Sequence, residues 1–320
     1  MDDRRTFLKK SAMAVAALSI PAASGTACLD SIRSKVPMKT RRVDRALVAW
    51  YSQTGNTQRY GRLLADTMRE AGIKVTASDL REVDKANVGD YDLIVIGAPV
   101  FYYDAPSYVR NWVRTLPNLN GVPVAAYVSF GGPEGNQHNA ACSILECLVQ
   151  REGVPVAQTA FMNLGTYPLA WAGDKIEKTP WRNSDLPDAK TYQSVRNYAR
   201  YIIQQVKKGK SAEFSRELTL REISTFFGPI WWAKQSIEKH YIVEDTCIGC
   251  GRCIEKCPVS AIDLDDYSVD RQACVLCFGC LNNCPARAVY MEYDGIRLIG
   301  FQDFLKLKGI EIKEPAELKV

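Results

Sequence analysis

No uninterrupted apolar run in this chain approaches the ~18–20 residues that a membrane-spanning helix needs. A basic surplus on the body of the protein is also lacking. The net charge is +5, but residues 1–43 carry nine Lys or Arg against three Asp and so hold +6, which leaves −1 for residues 44–320. A nucleic-acid partner needs a basic face on the folded body, and the charge total supplies none. What is present is a globular composition. At 47% hydrophobic and 24% charged residues over 320 positions, the chain is neither disordered nor collagen-like and is long enough for about two domains.

Cysteine is the unusual residue. Eight of the eleven fall between positions 247 and 284, in a fixed rhythm, and only Cys28, Cys142 and Cys147 lie elsewhere. Regular close spacing indicates metal ligation rather than a covalent framework.

The front of the chain reads as an address. Residues 1–27 run from a basic start through the apolar stretch 12–20 to small residues, the form of a secretory signal rather than a structural helix. Arg4 and Arg5, with Phe7, Leu8 and Lys9, resemble the twin-arginine export signal of bacteria, although Asp3 stands where Ser or Thr is usual. That resemblance implies handling by the twin-arginine export machinery and a periplasmic or exported protein. The alternative is a basic amphipathic helix on a cytoplasmic protein. Cys28 follows Gly25-Thr26-Ala27 and is a candidate site for a lipid anchor, without the leucine-like residue expected three places earlier. Residues 28–45 read as a linker.

The next segment carries a phosphate cradle. Positions 46–51 form a short apolar run of buried-strand length, followed by Ser52-Gln53-Thr54-Gly55-Asn56-Thr57 and then by Tyr60, Leu63, Leu64 and Met68 at helical spacing. A strand, a hydroxyl-rich turn and a helix start gather backbone N–H groups and hydroxyls at the positive end of a helix dipole, which suits a phosphate dianion. A helix cap is the alternative for such a turn taken alone. No Walker lysine follows, so nucleotide hydrolysis is not favoured. Two further buried-strand runs, 92–96 and 122–128, lead into unusual loops: Gly97-Ala98-Pro99-Val100-Phe101-Tyr102-Tyr103 and Ser129-Phe130-Gly131-Gly132-Pro133. Loops after strands of an open α/β sheet converge on one crevice. Helices are expected over 107–116, 139–151 and 188–208. Cys142 and Cys147, five apart on the middle one, read as buried packing residues. The long stretch 164–187 either covers the site, holds the next domain or is a plain insertion.

Residues 46–208 resemble a flavodoxin, whose Thr/Ser-x-Thr-Gly-Asn-Thr phosphate loop is matched by positions 52–57. The resemblance implies an α/β fold with a five-stranded doubly wound parallel sheet binding FMN. Its phosphate would lie in Ser52, Gln53, Thr54, Gly55, Asn56 and Thr57. Its ring would lie between Pro99, Val100, Phe101 and Tyr102 on one side and Ser129, Phe130, Gly131 and Gly132 on the other.

The cysteine run repeats with an offset of 27 residues. Cys247-x2-Cys250-x2-Cys253-x3-Cys257-Pro258 recurs as Cys274-x2-Cys277-x2-Cys280-x3-Cys284-Pro285. This is the spacing of bacterial two-cluster ferredoxins, in which the fourth cysteine of each run ligates the other cluster. Cys247, Cys250, Cys253 and Cys284 are therefore assigned to one 4Fe–4S cluster, and Cys274, Cys277, Cys280 and Cys257 to a second. Zinc needs four ligands and does not call for three successive x2 steps, twice, each closed by Cys-Pro. Gly249, Gly251 and Gly279 are expected to ease the tight turns. Residues 241–294 resemble a small α+β ferredoxin-like domain, with short strands expected at 241–243, 262–263 and 289–291. The domain carries nine Asp or Glu against four Arg or Lys, a surface suited to steering toward a basic redox partner.

The joining segment 209–240 contains Phe226-Phe227-Gly228-Pro229-Ile230-Trp231-Trp232, aromatics expected to pack between the domains, with a membrane-surface anchor as the alternative. The tail 295–320 is assigned no chemistry. The two modules together resemble single-chain flavodoxin–ferredoxin fusion proteins. That resemblance implies an electron-transfer protein passing electrons between FMN, two 4Fe–4S clusters and a protein redox partner. The alternative is an FMN-dependent reductase of a small acceptor such as a quinone or nitro compound. No nucleophile or acid–base pair stands out, and no G-x-G-x-x-G fingerprint follows a strand.

Overall fold

The strand runs of the first domain assemble into one parallel sheet because each is apolar on both faces. In β1 (Arg45–Trp50) every residue after Arg45 is buried, as expected of a strand covered by helices above and below. Odd and even positions face opposite layers. Leu47, Ala49 and Tyr51 join one core cluster, and Ala46, Val48 and Trp50 the other. The computed structural model describes residues 31–132, 136–172, 183–219 and 229–318. The export-type signal with Cys28, the residues Pro133, Glu134 and Gly135 of the third loop, Trp181, and Phe226-Phe227-Gly228 lie outside the described residues.

The sheet order is β2 (Lys74–Asp79), β1, β3 (Leu93–Pro99), β4 (Pro123–Phe130) and β5 (Val154–Met162), all parallel. Helices α1 (Asn56–Glu70) and α4 (Ala189–Lys207) cover one face, and α2 (Ser107–Arg114) and α3 (Gln137–Gln150) the other. This is the doubly wound α/β sheet implied by the resemblance. The strand order reverses between β1 and β3, so the crevice beyond their carboxyl ends is the place where such sheets bind ligands. Edge strand β2 was not expected from the sequence. Only Val75 and Ala77 are apolar among its six residues, and none is fully buried.

Helix α4 starts where its cap dictates. The Asp188 carboxylate accepts from the Thr191 N–H and hydroxyl, both at 2.7 Å. Replacing Asp188 with alanine is expected to cost about 1 kcal/mol at neutral pH. The Thr191 side-chain and backbone donors hold the Asp188 carboxyl below its ordinary value. A carboxyl depressed in the folded state stabilises above its unfolded pKa, about 3.9, and that contribution is lost as pH falls through the folded value. The gap between parent and variant should therefore be full at neutral pH and close in acid, which urea unfolding at several pH values checks.

The second domain is built around an antiparallel sheet of β6 (Ile237–Ile242), β7 (Val289–Tyr293) and β8 (Ile296–Arg297), preceded by α5 (Pro229–Ser236). Short helices α6 (Arg252–Lys256) and α7 (Gly279–Asn283) lie within the two cysteine runs and carry the third cysteine of each, Cys253 and Cys280. The strand expected at 262–263 is only an isolated bridge between Ile262 and Val269, and the third strand comes instead from the tail. The 27-residue repeat is written into the backbone. Left-handed residues occur in matched pairs: Gly249 and Leu276, Gly251 and Phe278, Ser260 and Arg287, Tyr267 and Asp294. Glycine adopts that conformation freely. Leu276 and Phe278 do so at a cost of order 1 kcal/mol each, and are held there by burial to 4% exposure in the domain core. Gly279, expected to ease a turn, has no left-handed φ. Its role is to admit the Gln53 side chain, whose Oε1 lies 2.2 Å from where a Cβ would sit.

The two domains are joined by a separate small core. Leu164 and Trp171, from the stretch after β5, meet Phe301, Phe304 and Leu305 of α8 (Phe301–Lys308). The Trp171 ring stacks on Phe304 at 4.2 Å, and its Nε1 donates to the Ile299 carbonyl. The chain then returns to the first domain: the Tyr192 hydroxyl donates to the Lys313 carbonyl, and Arg59 forms a forked ion pair with Glu314. On the departing side, the Ala212 N–H donates to the Pro155 carbonyl, and Ile32 pairs with Phe214. Trp231 and Trp232 do not fill this interface as expected. They are 54% and 51% exposed and meet edge-on, because the tail helix and Trp171 already occupy the contact.

Candidate functional site

A cavity of about 600 Å³ opens at the carboxyl ends of β1, β3 and β4, within the size range of small-molecule sites. Of the fourteen residues proposed from the sequence to hold FMN, thirteen line it. Gly55 does not. It stands in the left-handed region at φ 90 as the N-terminal cap of α1, and its N–H donates to the Ser52 hydroxyl. The α1 terminus has no side-chain cap and no acidic residue in its first turn, so no carboxylate of that turn competes for its N–H groups, an arrangement suited to an anion. The hydroxyls of Thr57 and Ser129 meet at 2.7 Å, tying the first loop to the third. The Tyr127 hydroxyl donates to the Thr57 carbonyl from below.

The wall opposite is aromatic. Phe101 and Asp104 exchange backbone hydrogen bonds in a tight turn that forces Tyr102 and Tyr103 to φ 49 and 70. The Tyr102 hydroxyl donates to the Leu276 carbonyl of the second domain at 3.2 Å. Tyr102, Tyr167 and Phe278 follow one another edge to face, at 6.0 and 5.6 Å. Burial drives the Tyr102 phenol far above its ordinary value, so it stays neutral at this wall.

Two polar atoms at this cavity, Asn56 Nδ2 and Asn163 Oδ1, are buried without a partner among the described residues. Such groups cost about 1–3 kcal/mol each when left unpaired. A ligand carrying a phosphate, hydroxyls and a heteroaromatic ring would satisfy them, and the residues present fit FMN on that ground. The sequence did not single out Asn163, nor Gly165, Thr166 and Tyr167 as cavity wall. The length of the 164–187 stretch was the one signal for the latter three.

The eight cysteines stand in two separate places. Cys247, Cys250, Cys253 and Cys284 line one apolar cavity, while Cys257, Cys274, Cys277 and Cys280 line another. None of the eight is paired in a disulfide. Repeat-related N–H groups point at sulfur in pairs: Gly249 to Cys247 and Leu276 to Cys274 at 3.4 Å, Ala261 to Cys257 and Ala288 to Cys284 at 3.2 Å. Among the described residues, no group of three or more Cys, His, Asp or Glu is set to hold a single metal ion. The thiols stand instead around the walls of the cavities, and backbone donors aimed at sulfur suit iron–sulfur ligation. Burial pushes the Cys274 thiol up to about 11 and raises Cys277 and Cys280, so coordination, which deprotonates a thiol outright, must release protons there. His240, in the second cavity, approaches Cys280 Sγ at 3.5 Å, and burial pulls its imidazole down to about 4.

The two cysteine cavities differ in access. Cys250 is exposed and Ile248 beside it is 67% exposed, whereas Cys280 is 8% exposed. Cys277 lines both the second cysteine cavity and the large cavity of the first domain. Cys142 and Cys147 are buried in the core of the first domain. His138 bridges Gln158 and the Ser215 carbonyl.

Residues 47–162 match the family profile of the flavodoxin domain, and residues 240–263 match that of the 4Fe-4S binding domain. No curated protein sequence matches the chain significantly. Among solved structures, flavodoxin 2 from Bacillus cereus is 17% identical, covering 50% of this chain and 99% of its own, with a TM-score of 0.40. The flavodoxin of Megasphaera elsdenii is 14% identical, with 51% and 98% covered and a TM-score of 0.33. Rubredoxin oxygen:oxidoreductase from Desulfovibrio gigas is 15% identical, with 56% and 38% covered and a TM-score of 0.38. The chain thus joins a flavodoxin-like domain to a 4Fe-4S ferredoxin-type domain.

Proposed function

We propose that this chain is an electron-transfer protein that passes electrons between FMN, two 4Fe–4S clusters and a protein partner. The observation that carries the reading is Cys277, which belongs at once to the wall of the large cavity and to the second cysteine quartet. Bound FMN supplies paired electrons that can leave one at a time, and each cluster supplies a one-electron relay.

The chain's own residues hold and separate these groups. Positions 52–57 bind the phosphate, Thr57 and Ser129 fix two loops at one spacing, and the neutral Tyr102 excludes water at the domain contact. No side chain acts as nucleophile, and none needs to. The exposed Cys250 and Ile248 mark the end at which a partner docks, beside the exposed acids Glu244, Asp245 and Glu255. Electrostatic complementarity therefore favours a basic partner surface.

A second reading, reduction of a quinone or nitro compound at the flavin, is favoured by the open rim of the large cavity, where Tyr103 and Tyr167 are 42% and 41% exposed. The arginine pair and Cys28 support an exported protein, carried by the twin-arginine machinery and anchored by lipid. Stepwise reduction of the reconstituted protein, followed by visible and EPR spectra, should count one flavin and two clusters. Steady-state turnover of quinones with NAD(P)H would overturn the carrier reading.

A further inference from the structure

Just beyond its first strand the flavodoxin-like domain carries two buried polar side chains, Tyr51 and Gln53, and the Tyr108 hydroxyl beside Tyr51 is itself a phenol that also needs an acceptor. Tyr51 is 1% exposed and Gln53 is 7% exposed. The Tyr51 hydroxyl and both polar atoms of the Gln53 amide lack a hydrogen-bond partner of acceptable geometry, as does the neighbouring Tyr108 hydroxyl. Both side chains are aimed across the domain boundary. The Gln53 amide lies against the first residue of α7, where a Cβ on Gly279 would stand 2.2 Å from Oε1 and 2.8 Å from Nε2. The Gln53 main-chain carbonyl accepts from Asn283 Nδ2 at 3.0 Å. The group that both side chains meet on the far side is Cys277.

We infer that Tyr51 and Gln53 are donors from the flavin domain to the iron–sulfur domain: they hydrogen-bond the Cys277 sulfur and thereby raise the reduction potential of the second cluster. The inference rests on the electron-transfer reading above. Its physical basis is that a metal-bound thiolate is an acceptor with no proton of its own. A phenol O–H and an amide N–H then gain the acceptor that they lack. Hydrogen bonds to sulfur stabilise the more negative, reduced state and are a recognised lever on cluster potential. Gln53 shares the wall of the large cavity with Cys277, and no cysteine of the first quartet lines that cavity, so the adjustment is confined to the cluster beside the flavin.

The test is an EPR-monitored redox titration of the full holoprotein and of Y51F, Q53M and the double variant. The expected result is a more negative midpoint for the Cys277 cluster, of the order of tenfold in electron partition or about 59 mV for a one-electron couple, with the other cluster unmoved. G279A, which displaces the amide and leaves its chemistry intact, should shift the same midpoint in the same direction. Because the readout is on the clusters, it survives any loss of flavin from Q53M. Unchanged midpoints in the double variant, or equal shifts in both clusters, would overturn the inference and leave the electron-transfer reading standing. A parent protein with flavin but no signal from a second cluster would overturn both.

Discussion

Replacing Cys257 with alanine is expected to remove the cluster that communicates with the flavin, although Cys257 closes the run that begins at Cys247. Its sulfur stands in the cavity of Cys274, Cys277 and Cys280, and the place of fourth ligand in its own run is taken by Cys284. About half of the iron should be lost, in keeping with one cubane of two. The surviving EPR signal should belong to the solvent-accessible cluster and should no longer be reduced through the flavin. C284A makes the opposite cut: the outer cluster goes, and flavin-coupled reduction of the inner one persists. Iron analysis and freeze-quenched EPR on both variants separate this from a sequential arrangement, in which C257A would spare the flavin-coupled signal.

The largest loss of stability is expected from Trp171→Ala. The side chain is fully buried, stacks on Phe304 and bonds the Ile299 carbonyl. Truncating a buried tryptophan typically costs about 3–5 kcal/mol. Because neighbours of Trp171 in the same stretch, Tyr167 and Ala170, line the large cavity, flavin affinity should fall with stability. Guanidinium unfolding together with flavin release measured by fluorescence checks both. Replacing Trp231 and Trp232 by serine serves as the comparison. Surface substitutions of this kind usually stay within about 0.5 kcal/mol, so a large effect there would overturn the present placement of the domain contact.

The readable parts of this molecule are those encoded by local spacing. Thiols every three residues, closed by Cys-Pro, specify their own loop geometry, so the division of the eight cysteines between two cavities followed from sequence. The cradle from Ser52 to Thr57 was legible for the same reason: a strand, a turn and a helix start lie within fifteen residues. Contacts between distant segments were not. Tyr102 reaches Leu276, Gln53 reaches Gly279, and Trp171 reaches Phe304, separations at which no periodicity connects the partners. Gly279 illustrates the difference. Its neighbours in sequence suggested a turn, whereas its neighbour in space, the Gln53 amide, is what excludes a side chain. Trp231 and Trp232 misled in the other direction, since local aromatic density indicates burial only when no other segment has taken the site. Edge strand β2 was missed because its exposed, polar residues carry little apolar pattern.

The return of residues 313 and 314 to the first domain has a kinetic consequence. A module joined by one flexible linker swings about its hinge and meets its neighbour at an effective concentration set by linker length, of millimolar order for short linkers. Here the iron–sulfur module is moored at both ends, through Ala212 and Phe214 as the chain departs and through Lys313 and Glu314 as it comes back. The swinging search is thereby removed. In the proposed relay, internal hand-over should proceed at a speed indifferent to dilution and viscosity, and only exchange with whatever lies outside the chain should be diffusive.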